Sequence, residues 1–308
     1  MAVTYTTTDF LSNVKVVSHV PQGNSTFTES QLLALGDMQM RTLIAPAISS
    51  CRENYWLTTQ RQTIVNSVNT YELPSKALGS SIVDVKVAVG TNLIHLIRME
   101  VSDLYSTQFS SLPAYGYYIE DAKLKLVPNS LSGELVMWYY RIPSKLVPVV
   151  ECAQVVDIPD AFSVEVDAVP STFNGQELDI VSANPGFNTW LMDEEPASIV
   201  GNIITFAAVP PQVRVGDYVC LSGQSCVVQC PLEWVEVLVQ SVAVKIYEIQ
   251  GYDRKMKMAD EVLQRMMKAT MGLVSPRTVE NSKVIQGGGS LLTPQNMGWN
   301  LPARSNNA

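Results

Sequence analysis

A stripe of large apolar side chains at helical spacing, Trp234, Val235, Leu238, Val242, Ile246 and Ile249, is too broad to be left against water. Any fold of this chain must bury it. A matching pattern lies near the other end of the chain, in Leu32, Leu33, Leu35, Met38, Leu43 and Ile44, where Thr28 and Gln31 form a capping box ahead of the first turn. Two apolar helical stretches so far apart in sequence predict an antiparallel bundle that brings the ends of the chain together. Gly251 interrupts the C-terminal stripe before a second stretch through Met256, Ala259, Leu263, Met266 and Met267, and Pro46 should break or kink the N-terminal helix. Trp234, Leu238, Ile246, Met256, Leu263 and Met267 are therefore the candidate packing or interface positions of the bundle.

Between these stretches the period falls to two and the punctuation becomes Gly, Pro and Asn, which predicts strands. Candidates are Arg61–Val65, Ile82–Val89, Asn92–Arg98, Ala122–Leu126 and Glu134–Tyr140, then Ser163–Val166, Leu178–Val181, Asn202–Phe206 and Asp217–Leu221. Ser102 should cap a short helix through Asp103, Leu104 and Tyr105. The expected class is α+β: an extended N-terminal arm over 1–28, a helical bundle from 29–53 and 231–271, a β-rich body over 54–150, an inserted acidic β-module over 151–230, and a flexible C-terminal tail over 272–308. The arm is polar and threonine-rich apart from Val14, Val16, Val17 and Val20, and arms of this kind pair with neighbours. The tail is rich in Gly, Pro and Asn and cannot bury enough surface to fold alone, yet it carries large apolar groups, a composition suited to ordering on a partner.

The net charge of −8 is unevenly placed. Residues 151–230 hold eleven acidic side chains against the single base Arg214, a local balance of −10, so the remainder carries +2. A segment this acidic is excluded as a sequence-reading nucleic-acid surface, because affinity for phosphate comes mainly from Lys and Arg. No run approaches the roughly eighteen apolar residues of a membrane span, and the first residues lack a charged region followed by an apolar one, so neither membrane insertion nor secretion is expected. The five cysteines, Cys51, Cys152, Cys220, Cys226 and Cys230, are an odd set that suits a reducing cytoplasm. The last three fall near one another, but no CxxC pair and no nearby histidine completes a zinc-like set, so they read as small buried residues on strands.

A search for catalytic chemistry finds little. His19 falls in the arm and reads as exposed, and His95 reads as a packed strand residue. No nucleophile elbow, phosphate loop or dinucleotide fingerprint occupies a strand–turn–helix context. Asp193, Glu194 and Glu195 read as a solvated acidic turn, and Asp157 and Asp160 take no catalytic role. The aromatic cluster Tyr115, Tyr117, Tyr118, Trp138, Tyr139 and Tyr140 could stack sugars or bases, though strand alternation favours core packing and subunit contact. The chain is expected to be no enzyme and to need no cofactor and no metal.

One ordered series of turns and strands carries more information than any single motif. Tyr71-Glu-Leu-Pro74, the strand Ile82–Val89, Leu93–Met99 leading to Asp103-Leu-Tyr105, Pro113-Ala-Tyr115-Gly-Tyr117, Leu124-Lys-Leu126-Val-Pro128 and Tyr139-Tyr140-Arg-Ile-Pro143 resemble the head-to-tail adaptor family of short-tailed bacteriophages. Downstream, Phe173-Asn-Gly175, Gly216-Asp-Tyr218 and Pro231-Leu-Glu233 resemble larger members with an extra β-module. The resemblance implies a bundle that docks on the portal protein, a ring most often of twelve copies, tail-nozzle or other tail proteins as further partners, and a lumen passing double-stranded DNA without sequence-specific binding. It places the protein at the head–tail junction of the virion after synthesis in the host cytoplasm. On this chain the segment reaching the portal would be 272–308, with Arg277, Lys283, Leu291, Leu292, Trp299 and Leu301 as candidate contacts. The competing expectation is a carbohydrate- or receptor-binding tail component.

Overall fold

The computed structural model describes residues 4–19, 27–65, 68–100, 115–127, 131–186 and 188–274. The C-terminal apolar stripe forms α4 (Leu232–Ile249), in which Trp234, Leu238, Val242 and Ile246 are fully buried. Three N-terminal helices and α5 (Asp253–Val274) cover it. These are α1 (Thr7–Val17), α2 (Glu29–Gln39) and α3 (Ala45–Cys51), with a π-helical turn over Met40–Ile44 between the last two. The Thr28 hydroxyl accepts from Gln31 N–H while the Gln31 side chain accepts from Thr28 N–H, the reciprocal cap expected from the sequence. Pro46 does not break this helix. Its ring would meet the carbonyl four residues back, and the chain widens the preceding turn instead, with Ala45 N–H donating to Met40 O before α3 resumes.

The extended arm expected over 1–28 is corrected by α1. Thr6 caps this helix with Asp9, and Phe10, Leu11 and Val14 enter the bundle core, so of the apolar strip Val14 belongs to a packed helical face while Val16 and Val17 are exposed. The helix is fastened at both ends: Thr7 N–H donates to Cys226 O at 2.8 Å, Thr7 Oγ1 to Val147 O at 2.8 Å, and Tyr247 Oη to Val17 O at 3.2 Å. Gly36 marks the tightest approach. A Cβ there would lie 2.9 Å from the buried Phe10 ring and 3.2 Å from Leu146 Cδ1, which explains a helix-weakening residue in the middle of α2.

The β-rich body is two four-stranded sheets enclosing one core. One has the order β1 (Leu57–Ile64), β8 (Gly133–Arg141), β3 (Ala77–Val89), β4 (Asn92–His95). The other runs β2 (Thr70–Glu72), β7 (Lys123–Val127), β6 (Gly116–Glu120), β5 (Ile97–Arg98). Alternate residues Val85, Val87, Leu135 and Met137 from the first meet Tyr71, Tyr117, Leu124 and Leu126 from the second. The helix expected after Ser102 lies outside the described residues. From β8 the chain passes through β9 (Lys145–Leu146) into a seven-stranded antiparallel module. Its order is β13 (Thr189–Glu194), β12 (Leu178–Val181), β16 (Tyr218–Leu221), β10 (Ala153–Asp157), β11 (Ser163–Val166), β15 (Ile203–Thr205), β14 (Ser198–Val200). It leaves through β17 (Gln224–Ser225), which pairs with β9 in parallel and leads into α4.

The central strands of the module are buried on both faces. Leu178 and Ile180 of β12, Val219 of β16 and Ala153 and Val155 of β10 pack with Phe173 and Phe206 in the module's own core. The intervening residues, Val181, Tyr218, Cys220 and Cys152, turn the other way toward Val147 and Val227.

Candidate functional site: assembly surfaces and a buried junction

The face of the module that turns inward carries a charge. Asp179, in the middle of β12, is fully buried and accepts from the equally buried Arg141 Nη2 at the end of β8, 2.6 Å away. Its remaining lone pairs take the backbone N–H groups of Asp193 and Gly223 at 2.8 and 2.9 Å. Lys76 Nζ stands 3.9 Å from the same carboxylate and forms an ion pair with Asp193, whose carboxylate also accepts from Ser222 Oγ at 2.6 Å. Burial alone would raise the Asp193 carboxyl, but the Lys76 ammonium and the Ser222 hydroxyl outweigh it and hold the group below the usual carboxylate range. Asp193 therefore meets this cluster at the end of strand β13, which closes at Glu194, and this corrects the expectation of a solvated turn for these two residues while Glu195 is exposed. Two acids of the module are matched by two bases of the body, so the junction between the two β units is ionic. Asp217 is buried as well, its carboxylate taking Ala183 N–H, Trp190 Nε1–H and Arg214 N–H.

The other acids of the module mostly face water. Glu151, Asp157, Asp160, Asp167, Glu177 and Glu195 are exposed, and Asp160 is kept below its usual range by the N–H groups of Phe162 and Ser163 that it caps. Asp157 and Asp160 thus serve backbone turns. His19 is exposed, as expected. His95 is a correction: its side chain is 64 % exposed, with Nε2 3.2 Å from Asp84 Oδ1.

A third feature ties α2 to the β9 linker. Leu146 N–H donates to Asp37 Oδ1 at 2.7 Å, and burial of this carboxylate pushes it up to about 6, against the opposing effects of the Leu146 bond, Arg41 and Lys145. A folded-state value above the unfolded one means that Asp37's contribution is favourable at low pH and is lost as pH rises through about 6. Asp37→Asn keeps the acceptor for Leu146 and removes the titration. It should unfold at higher denaturant near pH 7.5, by about 1–2 kcal/mol after discounting for partial exposure, and match the parent near pH 4. Urea titrations at the two pH values check this.

Among the described residues, the bundle leaves apolar surface uncovered. On α5, Ala259 and Leu263 face the core, while Met258, Val262 and Leu273 form a neighbouring stripe at 62, 37 and 77 % exposure. At the end of α4, Phe27, Ala34, Leu35, Met38 and Ile249 line a groove of about 610 Å³. Of the predicted bundle positions, Trp234, Leu238, Ile246 and Leu263 lie in the core and Met267 packs against its edge, whereas Met256 is half-exposed and outside that cluster. Arg277, Lys283, Leu291, Leu292, Trp299 and Leu301 lie outside the described residues. The aromatic cluster makes no open platform: Tyr117 and Tyr139 are buried, Trp138 is capped by Lys86 Nζ at 4.8 Å from its ring, and only Tyr115 is more than a third exposed.

Three thiols also converge. The Sγ atoms of Cys152, Cys220 and Cys226 all lie within 4.8 Å of one another in buried surroundings, with Cys152 and Cys220 2.8 Å apart. The sequence reading had grouped Cys226 with Cys220 and Cys230 by proximity along the chain. Cys230 instead enters the bundle core, and Cys152 takes its place because Cys152 precedes Ala153 and Cys220 follows Val219, next to the antiparallel Ala153–Val219 pairing.

These features describe an α+β chain with exposed apolar side chains on its helices and an acidic module. Residues 30–167, somewhat under half of the chain, match the family described as SU10 adaptor protein. That segment takes in α2, α3, the β-rich body and the first strands of the module, and it is similar to that adaptor family. No curated protein matches the chain. Among the described residues, no helix is long and apolar enough to cross a membrane.

Proposed function

We propose that the protein is a head-to-tail adaptor of a short-tailed phage, assembling as a ring beneath the portal, docking tail proteins and lining part of the path of the genome. The match of residues 30–167 to an adaptor family carries this reading. Two physical features support it. The exposed stripe Met258, Val262 and Leu273 and the groove at Phe27, Met38 and Ile249 are two different apolar patches, and closed rings are built from such heterologous contacts. The exposed acids of the module give a surface that forms few contacts with phosphate, as a passing duplex requires. The role is structural, and no step of it needs a cofactor. The buried Tyr117 and Tyr139 argue against the carbohydrate-binding alternative, since stacking a sugar needs an open aromatic face.

The tail residues Arg277, Lys283, Leu291, Leu292, Trp299 and Leu301 are the proposed portal contacts. Because α5 runs to Val274, removing residues 275–308 spares every described element. The truncated protein is expected to keep its circular dichroism and melting temperature while losing at least tenfold in affinity for cognate portal in a pull-down or light-scattering titration. Undiminished portal binding would overturn the assignment of the tail.

A further inference from the structure

We propose that Cys152, Cys220 and Cys226 form a binding site for one soft divalent metal ion of the zinc group. Five cysteines occur in 308 residues, and three of them, drawn from separate segments, meet at one point. Cys152 leads into β10, Cys220 lies on the neighbouring β16, and Cys226 follows β17. With zinc–thiolate bonds of about 2.3 Å, three sulfurs around one ion stand about 4 Å apart, inside the 4.8 Å limit that the three Sγ atoms satisfy. The Cys152–Cys220 pair, at 2.8 Å, has to open by roughly 1 Å, a side-chain adjustment.

The surroundings select the class of ion. Val147, Val181, Tyr218 and Val227 pack around the sulfurs, and among the described residues no carboxylate or imidazole joins the cluster. An all-sulfur set favours soft ions and excludes calcium and magnesium, which require oxygen. Binding breaks three S–H bonds, forms three metal–sulfur bonds and releases three protons to the buffer; no electron is transferred. Each thiol gives up its proton to the ion, so affinity should rise with pH. The ion would act as a staple. Cys152 and Cys220 belong to the module, while the Cys226 carbonyl accepts from Thr7 N–H at the start of α1, so one ion would fasten the module sheet beside the first helix of the bundle.

The test is titration of the full chain, purified with a non-thiol reductant and freed of metal, with cadmium followed by its ultraviolet thiolate charge-transfer band and with zinc followed by competition with a colorimetric chelator. We expect one equivalent per chain, a melting temperature raised by the metal, and a loss of at least a hundredfold in affinity in Cys220→Ala, with Cys51→Ser binding as the parent does. Should Cys220→Ala fail to fold, Cys152→Ala supplies the same comparison, and the parent titration stands by itself. A parent chain that takes up no metal while its thiols titrate as free on unfolding overturns the site. So does cadmium uptake unchanged in the alanine variants, or a Cys152–Cys220 disulfide recovered from the reduced preparation.

Discussion

Arg141→Met should lower the unfolding free energy by about 3–5 kcal/mol, because it leaves the fully buried Asp179 carboxylate without its guanidinium partner. Asp179→Asn should cost a similar amount by stranding the buried Arg141 charge, whose Nε and Nη1 already have no partner among the described residues. The diagnostic result is in the double variant. With both charges gone, the desolvation that the pair requires is gone too, and the loss should fall short of the sum of the singles by about 2 kcal/mol or more. Chemical denaturation of the four proteins measures this. Additive losses would mean that the two side chains act separately and that this pair does not couple the module to the body.

The second large effect is expected without any loss of stability. Met258→Glu together with Val262→Glu puts charge on the α5 stripe where both residues are exposed, so the melting temperature of the isolated subunit should stay close to that of the parent. If that stripe meets the neighbouring copy, the same pair should weaken subunit association by about 2 kcal/mol, some thirtyfold, and stop ring closure on the portal. Trp234→Ala is the contrasting control: it empties a fully buried site and should cost about 3–5 kcal/mol of folding free energy before assembly is reached. Analytical ultracentrifugation with parallel melting curves separates the two kinds of damage.

Much of the architecture was legible because burial in this chain follows simple periods. The α4 stripe demanded a partner and the Thr28 cap located one, and the alternating runs at Ser163–Val166 and Leu178–Val181 coincide with strands β11 and β12. Failures occurred where short-range composition misleads. Residues Thr7–Val17 are polar by count, yet Phe10, Leu11 and Val14 occupy one helical face, and that face suffices once α4 is present to receive it. Strand β13 was hidden by its acids, since Asp193 looks like a turn residue until Lys76 and Ser222 of other segments arrive. The junction left a usable signal: an aspartate inside the apolar run Leu178-Asp179-Ile180-Val181 has to find a cation, and Arg141 closing strand β8 was available. The thiol cluster left no such signal. Cys152 and Cys220 become neighbours only through strand pairing across the module, and chain proximity pointed to Cys230 instead.

The central claim is assembly on a portal, and the most direct measurement is the mass and rotational symmetry of the purified protein, alone and mixed with its cognate portal, by light scattering and class-averaged electron microscopy. The account predicts a subunit that closes into a ring, most often of twelve copies, when the portal is present. Trimers that form regardless of portal would contradict it and return the protein to the receptor-binding class.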